Sequence, residues 1–381
     1  MLGFLSDYWK LQVRLIVNKM ERKSLYFFIK SISTSNEAKA KMVKEMKLFE
    51  KELYFYNVIK RQIGIPDLRP WSATLITTLD EAMVFEDLNA MQYKTKNKFD
   101  RFDEAHTLQA LSTLARFHAS SIVYEERKSK KLSKKYCINE EFENYLNQGG
   151  YNISDQWFVQ CMTGALQAVK KFSKYGKDKS LMNTVENKWK DIWHSGLKLS
   201  DFSPKRRCVI CHRDLWNNNI LFRYKELSEN KLVPVDCLLV DFQAVRYQEP
   251  AGDVMLLLYC NLDPIYRETN MQLFLNYYYQ ELEHILSKHD IKISDIFSKD
   301  SFICSAEEQR LWGLIVSACL TPQFWLDETL TTQFFCDTEQ FNQILSKDKG
   351  AFINKMIEEN EDYKSTVLCI FEEIVERYCL N

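Results

Sequence analysis

One segment, residues 211–222, constrains the fold of this chain more than any other. It reads CHRDLWNNNILF, in which Asp214 precedes Asn219 by five residues and short apolar runs lie on both sides. A later apolar run ends in LLVDFQ, so Asp241 follows Asn219 by twenty-two residues. A loop between two short strands can direct Asp214 and Asn219 to one point, and a second hairpin can bring Asp241 beside them.

Two carboxylates and one amide gathered in this way match the needs of phosphoryl transfer. One carboxylate accepts or orients the proton of the attacking hydroxyl, while the amide and the second carboxylate hold Mg²⁺ against the phosphates. An isolated HRD or Asp-Phe is typical of a surface turn or a capping aspartate. The two together, in this order and flanked by apolar strands, favour a phosphoryl-transfer site.

Glycine is scarce, with ten residues in the whole chain. Neither GxxxxGK[ST] nor GxGxxG occurs, which excludes the phosphate cradles of the P-loop and dinucleotide-binding folds. Any nucleotide must therefore be held by another arrangement.

Composition narrows the class further. The 381 residues are enough for two lobes, and the net charge of −1 gives no indication of nucleic-acid or membrane partners. No signal peptide and no membrane span are recognisable, so we expect a cytoplasmic protein whose eleven cysteines are free thiols. Cys208 and Cys211 form a CxxC, but no second ligand pair at metal spacing accompanies it.

Hydrophobic patterning predicts an α+β fold in two parts. Residues 6–33 predict a β-hairpin, residues 36–61 an amphipathic helix, and the strands that follow end in MVFEDL at 83–88. Beyond residue 90 the pattern is mostly helical. Helices are predicted at 103–122 (with Asp103 as N-cap), 154–175, 180–196, 268–287, 305–320 and 352–378. The predicted boundaries are 1–88 for the N-terminal lobe and 89–381 for the C-terminal lobe.

The motif region resembles a known family. The stretches HRDLWNNNILF and LLVDFQAVRYQEPAGDV are similar to the ecdysteroid kinase-like (CHK kinase-like) family, which shares a superfamily with choline kinases and aminoglycoside phosphotransferases. LYFFIKSIS, FEKELYFY, MVFEDL and LARFHASS resemble further family motifs in the expected order. The resemblance implies a protein-kinase-like fold, with a small β-rich N-terminal lobe containing one main helix and a larger, mostly helical C-terminal lobe.

The resemblance also implies roles for individual residues, with ATP and Mg²⁺ as cofactors. Lys30 would bind the α- and β-phosphates and pair with Glu52, although Glu45 one heptad earlier is a competing candidate. The backbone of Glu86 and Leu88 would meet the adenine edge. The implied catalytic base is Asp214, and the implied magnesium ligands are Asn219 and Asp241.

Three further side chains are interpreted as structural. His212 is expected to hold the catalytic loop to the strand before Asp241. Asp253 resembles a residue that braces this loop, and His118 is interpreted as a buried histidine with satisfied hydrogen bonds.

The chain departs from related patterns at three points. Gln243 replaces the glycine of DFG, as in the family it resembles, so a flipping switch is not expected. Arg213 gives HRD where many small-molecule relatives have HGD. Only eleven residues separate Asp241 from Asp253, which leaves little room for a peptide platform, so no protein substrate is expected.

The third departure is the loop that would cover the phosphates. GFLSDYW supplies only Gly3, and the resemblance implies a helix and tens of residues ahead of it, so the N-terminal lobe is interpreted as shortened. A frayed loop with one glycine predicts weaker ATP binding.

The leading hypothesis is transfer of the ATP γ-phosphoryl group to a hydroxyl of a small organic acceptor, by a monomer. The resemblance implies ecdysteroids, or xenobiotic and phenolic glycosides in detoxification. The aromatic-rich stretch 268–345 is mostly core, with Tyr277, Tyr278, Tyr279, Trp312 and Trp325 as candidates for the acceptor pocket. The alternatives are a pseudokinase-like nucleotide- or steroid-binding protein and a choline- or ethanolamine-type kinase.

Overall fold

The N-terminal lobe is a four-stranded antiparallel sheet in the order β1-β2-β4-β3. The structure is a computed structural model that describes residues 5–17, 22–147, 151–228 and 231–380. The strands of this sheet are β1 Ser6–Ile16, β2 Arg22–Ile32, β3 Leu75–Leu79 and β4 Ala82–Glu86. The predicted hairpin is confirmed in β1 and β2, although residues 18–21 of its turn lie outside the described ranges.

The register of this sheet fixes which side chains face the rest of the molecule. Tyr8 of β1 lies opposite Lys30 of β2, and Lys30 lies opposite Met83 of β4. Because side chains directly opposite each other share one face of a sheet, these three point to the same side. Lys30 and Met83 are buried there.

The apolar stripe at 36–61 predicted one continuous helix, but in the structure this helix is interrupted. It consists of α1 Glu37–Glu45, α2 Leu48–Tyr54, a π-helical turn Phe55–Ile59 and α3 Lys60–Ile63. The break lies at Lys47, whose φ of 53° belongs to the left-handed region. The new direction after Lys47 buries Leu48, Phe49 and Glu52, while Glu45 before the break stays exposed.

The C-terminal lobe is built around a long helix, α4 Glu104–Leu132. Asp103 caps it as predicted, because its carboxylate accepts the backbone N–H of His106 at 3.0 Å. The helix continues ten residues past its predicted end and stops at Ser133, where φ is 52°. The added turns carry the basic residues of 127–131, whose cations near the helix C-terminus complement the helix dipole.

Twelve further helices complete the described part of this lobe. They are α5 Ile138–Glu141, α6 Glu143–Leu146, α7 Gln156–Phe172, α8 Lys179–Lys198, α9 Pro250–Asn261, α10 Pro264–Ser287, α11 Ile293–Ile296, α12 Lys299–Phe324, α13 Glu328–Cys336, α14 Thr338–Asn342, α15 Lys349–Glu359 and α16 Glu361–Ile374. The single helix predicted at 352–378 is wrong, because Asn360 is extended and its side chain caps α16 at Tyr363 N. No helix in the described ranges is long and apolar enough to cross a bilayer.

Short strands bring the motif residues to the boundary between the lobes. They are β5 Tyr93–Thr95, β6 Val209–Cys211, β7 Ile220–Ser228, β8 Lys231–Leu239 and β9 Arg246–Gln248. They form one sheet in the order β5-β7-β8 and a second that pairs β6 with β9. The loop 212–219 therefore connects β6 to β7, and Asp241 lies two residues after the end of β8, as the apolar runs predicted.

The core of the C-terminal lobe is helical and aromatic. The helix α9 is buried along almost its whole length and packs against α12, whose Trp312 is fully buried. Tyr278 of α10 is also fully buried. All eleven cysteines are unpaired, as predicted.

Candidate active site

A cleft with a cavity volume of about 230 Å³, open to solvent at its mouth, lies where the N-terminal sheet faces the C-terminal helices. Its wall includes the ionisable and amide side chains that the sequence singled out. These are Lys30, Glu52, Asp214, Asn219 and Asp241. They come from one strand, one helix and two loops that are far apart in the sequence.

Lys30 is the centre of the charged end of this cleft. Its Nζ lies 2.5 Å from Glu52 Oε2 and 2.8 Å from Asp241 Oδ1. Of the two glutamates considered, Glu52 thus contacts Lys30, whereas Glu45 lies 3.7 Å from the exposed Lys41. Burial acts to lower the pKa of Lys30, but Asp241 and Glu52 outweigh it and raise this pKa well above its ordinary value. Lys30 is therefore a permanent cation.

Hydrogen bonds hold the loop after β6 in place. Its backbone N–H groups donate to one buried carboxylate, that of Asp253. Asp253 accepts the backbone N–H of His212 at 2.5 Å and that of Arg213 at 2.9 Å. The His212 ring bonds the carbonyl of Val240 at 2.9 Å. Both contacts are those expected for His212 and Asp253. Arg213 has a φ of 67°, a strained value for a non-glycine residue that the surrounding bonds hold in place.

This loop presents Asp214 and Asn219 together. Asn219 Nδ2 donates to the backbone oxygen of Asp214 at 2.9 Å and to its Oδ2 at 2.8 Å. Burial, followed by the nearby charge of Asp241, raises the pKa of Asp214 well above its ordinary value. A carboxylate with a raised pKa is a stronger proton acceptor when it is ionised.

Asp241 adopts a φ of 69°, which turns the chain sharply after β8. The next residue, Phe242, donates its backbone N–H to Glu52 Oε1 at 3.2 Å and stacks on Phe55 at 4.6 Å. The helix that carries Glu52 and the loop that carries Asp241 are therefore tied together. This coupling fixes the position of both carboxylates relative to Lys30.

The donor set in the cleft suits Mg²⁺. The amide nitrogen of Asn219 is used by Asp214, and within the described ranges no group donates a hydrogen bond to its Oδ1. One carboxylate oxygen of Asp241 contacts Lys30, and no described residue donates to the other. Oxygen ligands of this kind, two from the protein with the remainder from water and phosphate, match the preference of Mg²⁺.

The connection after β4 was predicted to meet the adenine edge through the backbone of Glu86 and Leu88, and its groups differ in what they already bond. The Glu86 N–H bonds Thr74 O at 3.1 Å, and its carboxylate accepts Thr74 N at 2.8 Å. The Leu88 carbonyl accepts Met91 N at 3.1 Å and Tyr93 N at 2.9 Å. No described residue accepts the Leu88 N–H, which leaves that donor for a ligand. Both Glu86 and Leu88 line the cleft.

Two other predicted residues have different outcomes. His118 is fully buried and satisfied as expected, because its ring nitrogens bond Tyr278 Oη at 2.7 Å and Asp253 Oδ2 at 3.2 Å. Gly3 lies outside the described residues. Near that end of the sheet, Tyr8 lines the cleft opposite Lys30, a contact that only the strand register reveals.

The half of the cleft away from Lys30 is aromatic, and its side chains are not the five that the sequence analysis named, although Trp216 lies within 211–222 and Phe324 within 268–345. Trp216 stacks on Phe324 with ring centroids 3.9 Å apart. Trp157 stands beside them and donates its ring N–H to Gln323 at 3.1 Å. Asp155 is the carboxylate of this half. Burial raises its pKa, and this effect outweighs the hydrogen bond from Trp157 N, which acts to lower the pKa.

The aromatic candidates proposed for the acceptor pocket lie elsewhere. None of Tyr277, Tyr278, Tyr279, Trp312 and Trp325 is among the residues that line the cleft. Trp325 instead packs on Phe99 with ring centroids 5.4 Å apart. Trp216 could have been found from its position two residues after Asp214, but no sequence signal identifies Phe324 as its partner.

The contact between Lys30 and Glu52 gives a direct test. We expect Glu52→Gln to lower kcat/KM for ATP about tenfold to a hundredfold. Lys30, the residue predicted to bind the phosphates, then loses the charged partner that holds its side chain in position. Glu45→Gln is the matched control, since this glutamate ends α1, just before the break at Lys47, and is exposed. Steady-state kinetics at varied ATP measures both variants. Equal effects of the two substitutions would contradict the assignment.

Comparisons with known proteins identify the family. The structure aligns with an ethanolamine kinase of Plasmodium vivax at 11% identity and a TM-score of 0.44, covering 99% of this chain and 84% of that one. For a choline kinase of Cryptosporidium parvum the identity is 11%, the TM-score 0.41, and the coverage 97% and 91%. For an ADP-bound aminoglycoside phosphotransferase the identity is 12%, the TM-score 0.36, and the coverage 90% and 94%.

These structural scores are low, and a search of curated proteins finds no match. The sequence itself carries the assignment. The model of the ecdysteroid kinase-like family matches residues 3–291, which is more than half of the chain. The chain therefore belongs to the ecdysteroid kinase-like family, a family of kinase-like small-molecule phosphotransferases.

Proposed function

We propose that this protein transfers the γ-phosphoryl group of ATP to a hydroxyl of a small organic acceptor, with Mg²⁺ as the metal. The observation that carries the proposal is the convergence of Lys30, Asp214, Asn219 and Asp241 on one end of the cleft. Lys30 Nζ lies 2.8 Å from Asp241 Oδ1 and 2.5 Å from Glu52 Oε2, and Asn219 Nδ2 lies 2.8 Å from Asp214 Oδ2. Positioning and charge neutralisation of this kind supply most of the catalysis in phosphoryl transfer.

In the proposed reaction, the acceptor hydroxyl attacks the γ-phosphorus and its proton passes to Asp214. The bond between the γ-phosphorus and the bridging oxygen breaks, and ADP leaves with that oxygen. Lys30 neutralises charge on the non-reacting phosphates, and Glu52 holds Lys30 in place. Asn219 and Asp241 would hold Mg²⁺, which when bound spreads the negative charge of the phosphates.

The character of the second half of the cleft supports an apolar acceptor. The stack of Trp216 and Phe324 gives a flat surface, and Met42, Leu320 and Phe335 add apolar area. Such a lining fits the ring system of a steroid or a phenolic glycoside better than it fits a polycationic sugar, which would need several carboxylates. We therefore propose an ecdysteroid-like or phenolic xenobiotic alcohol as acceptor.

One observation favours a second candidate, a cationic acceptor of the choline or ethanolamine type. Asp155 lies in the acceptor half of the cleft, close to Trp157 and Tyr151, whose rings are 5.6 Å apart. Aromatic faces with a carboxylate can bind an ammonium group. However, burial raises the pKa of Asp155, so the cost of burying its charge opposes an ion pair at this place.

The test is a screen for the mass gain of one phosphoryl group. Steroid alcohols, phenolic glycosides, choline and ethanolamine are each incubated with the protein, ATP and Mg²⁺, and products are identified by mass spectrometry. We expect phosphorylation of a steroid or phenolic compound and survival of that activity in Asp155→Asn. Choline or ethanolamine as the preferred acceptor, with loss of activity in Asp155→Asn, would favour the second candidate. A pseudokinase predicts no product from any acceptor.

The aromatic stack gives a prediction about acceptor binding. We expect Trp216→Ala to raise KM for the accepted alcohol about tenfold, since the flat contact surface and its stacking are lost. Trp325→Ala is the matched control, because this tryptophan follows Phe324 directly but packs outside the cleft. Initial rates at varied acceptor and saturating ATP measure the effect. An equal rise in both variants would show that Trp216 has no specific role.

A further inference from the structure

Three basic side chains approach one another behind the catalytic loop, and we call them the basic cluster. They are Lys51 of α2, Arg213 of the loop after β6 and Arg246 of β9. Burial, followed by repulsion from Arg213 and Arg246, lowers the pKa of Lys51 well below its ordinary value. Burial, followed by repulsion from Arg246, lowers the pKa of Arg213 to about 9. The three side chains thus repel one another in the interior.

Arg213 is the most unusual member of the basic cluster because it is completely buried. One of its terminal nitrogens, Nη2, donates to Ser200 Oγ at 3.2 Å. Its Nε and Nη1 have no hydrogen-bond partner among the residues that the structure describes. An arginine does not lose its proton in a protein, so the molecule contains a buried cation with free N–H groups.

Nearby carboxylates do not neutralise this cation. Asp253 uses its oxygens for the backbone of His212 and Arg213 and for the His118 ring. Asp201 reaches Arg246 only at 3.8 Å, and its side chain is 65% exposed. No carboxylate of the described ranges lies within ion-pair distance of the Arg213 guanidinium. A buried charge without a partner is costly, which calls for an anion at this place.

Aromatic contacts compensate only part of the charge. The guanidinium carbon of Arg213 lies 4.7 Å from the ring centre of Trp312 and 5.6 Å from that of Tyr151. Ring faces attract the cation, but they leave the edge N–H groups of Nε and Nη1 unsatisfied. These free groups need an acceptor with several oxygens.

We propose that the basic cluster is a binding site for one tetrahedral oxyanion, phosphate or sulfate. Arginine pairs well with phosphate oxygens through its planar N–H groups, and Lys51 and Arg246 add charge around the same point. The anion enters from the side of Arg246, the most exposed of the three at 14% of its side chain. This site is separate from the nucleotide cleft, and its existence does not depend on the proposed kinase activity.

An anion here would join three segments that carry the candidate active site. Lys51 precedes Glu52 on α2, and Arg213 precedes Asp214 in the catalytic loop. Arg246 lies shortly after Asp241 on the segment that leaves the cleft. Phosphate bound among them would tie the N-terminal helix to the C-terminal lobe and stabilise the folded protein.

The experiment measures thermal unfolding in sodium phosphate and in sodium chloride at equal ionic strength and pH. We expect phosphate at ten times its Kd to raise the Tm of the wild-type protein by about 2 °C. Arg246→Gln and Arg213→Met should lose this response. Arg213→Met should also be at least as stable as wild type in chloride, because it removes an unpaired buried charge.

Two further variants make the test specific. Lys30→Met should keep the phosphate response, which separates the basic cluster from the phosphate end of the nucleotide cleft. Arg14→Gln, which removes an exposed arginine of β1, should keep it as well. A response that disappears in Lys30→Met but persists in Arg246→Gln would overturn the proposal.

The oxyanion can also come from a phosphoryl group on a side chain of the protein itself. In that case the intact mass exceeds the calculated mass by one phosphoryl group, and the response to free phosphate emerges only after phosphatase treatment. An unmodified mass together with no response to phosphate or sulfate would overturn the proposal and leave the aromatic contacts as the sole compensation for Arg213.

Discussion

Replacing Asp214 with asparagine is expected to lower kcat about a thousandfold, the loss typical of removing a positioned general base. The KM for ATP should change little, because the proposed role of Asp214 is toward the acceptor hydroxyl rather than the nucleotide. The substitution is nearly isosteric, and its side-chain oxygen can still accept the hydrogen bond from Asn219 Nδ2, now 2.8 Å long. Product formation with the accepted alcohol, followed by mass spectrometry, gives the rate.

The control for this variant is Asp80→Asn, which makes the same chemical change at an exposed position before β4. It should retain wild-type kinetics. Circular dichroism and thermal unfolding of both variants test whether the fold is retained. Equal and slow ATP consumption by the wild-type protein and Asp214→Asn would remove the argument for an enzyme and favour the pseudokinase alternative.

The raised pKa of Asp214 adds a pH dependence with a definite sign. Activity needs the ionised carboxylate, so kcat/KM should fall as pH falls through that pKa, at a pH above the ordinary aspartate value of about 4. The contribution of Asp214 to the free energy of unfolding of the ligand-free protein should instead decrease as pH rises. A group whose pKa is raised on folding stabilises the protein below its unfolded pKa, and this contribution is lost as pH rises through the folded value.

The local part of the candidate site could be predicted from the sequence. His212, Asp214 and Asn219 lie in one loop whose flanking apolar runs become β6 and β7, and Asp241 follows the strand paired with β7. Short-range spacing is sufficient here because hairpin geometry brings neighbouring segments together.

Features that depend on contacts between distant segments could not be predicted. The heptad spacing left Glu45 and Glu52 equivalent, and the left-handed residue Lys47 separates them by changing the direction of the helix. A helical pattern carries no signal for such a break. Likewise Phe324 reaches Trp216 through the packing of α12, while its neighbour Trp325 points away.

The same reasoning explains why the basic cluster is visible only in three dimensions. Arg213 is noticeable in the sequence only as the middle residue of HRD, and nothing there connects it with Lys51 or Arg246, because a lysine or arginine is most often solvated. Only the fold reveals that α2, the catalytic loop and β9 bury them side by side. The burial of Arg213 is informative because a cation in the interior with no carboxylate of the described residues beside it needs a physical explanation.

Asp241→Asn is expected to abolish the part of ADP binding that depends on Mg²⁺ and to lower kcat at least about a thousandfold. The substitution removes one of two proposed protein ligands and its negative charge. Lys30 keeps its contact with Glu52, so the fold should survive, although the ion pair at 2.8 Å is lost. Thermal unfolding is measured with ADP alone, Mg²⁺ alone and both together.

For the wild-type protein, Mg²⁺ with ADP at a hundred times its Kd should raise Tm by about 4 °C, and ADP alone should raise it much less. Asp241→Asn should give the same small shift with and without Mg²⁺. Asp87→Asn is the matched control, because Asp87 also lines the cleft but lies beside Leu88, away from Lys30. It should retain the response to Mg²⁺, since its carboxylate is far from the proposed phosphate positions. An undiminished response in Asp241→Asn would mean that the metal is held by other groups, and the assignment of Asn219 would fail with it.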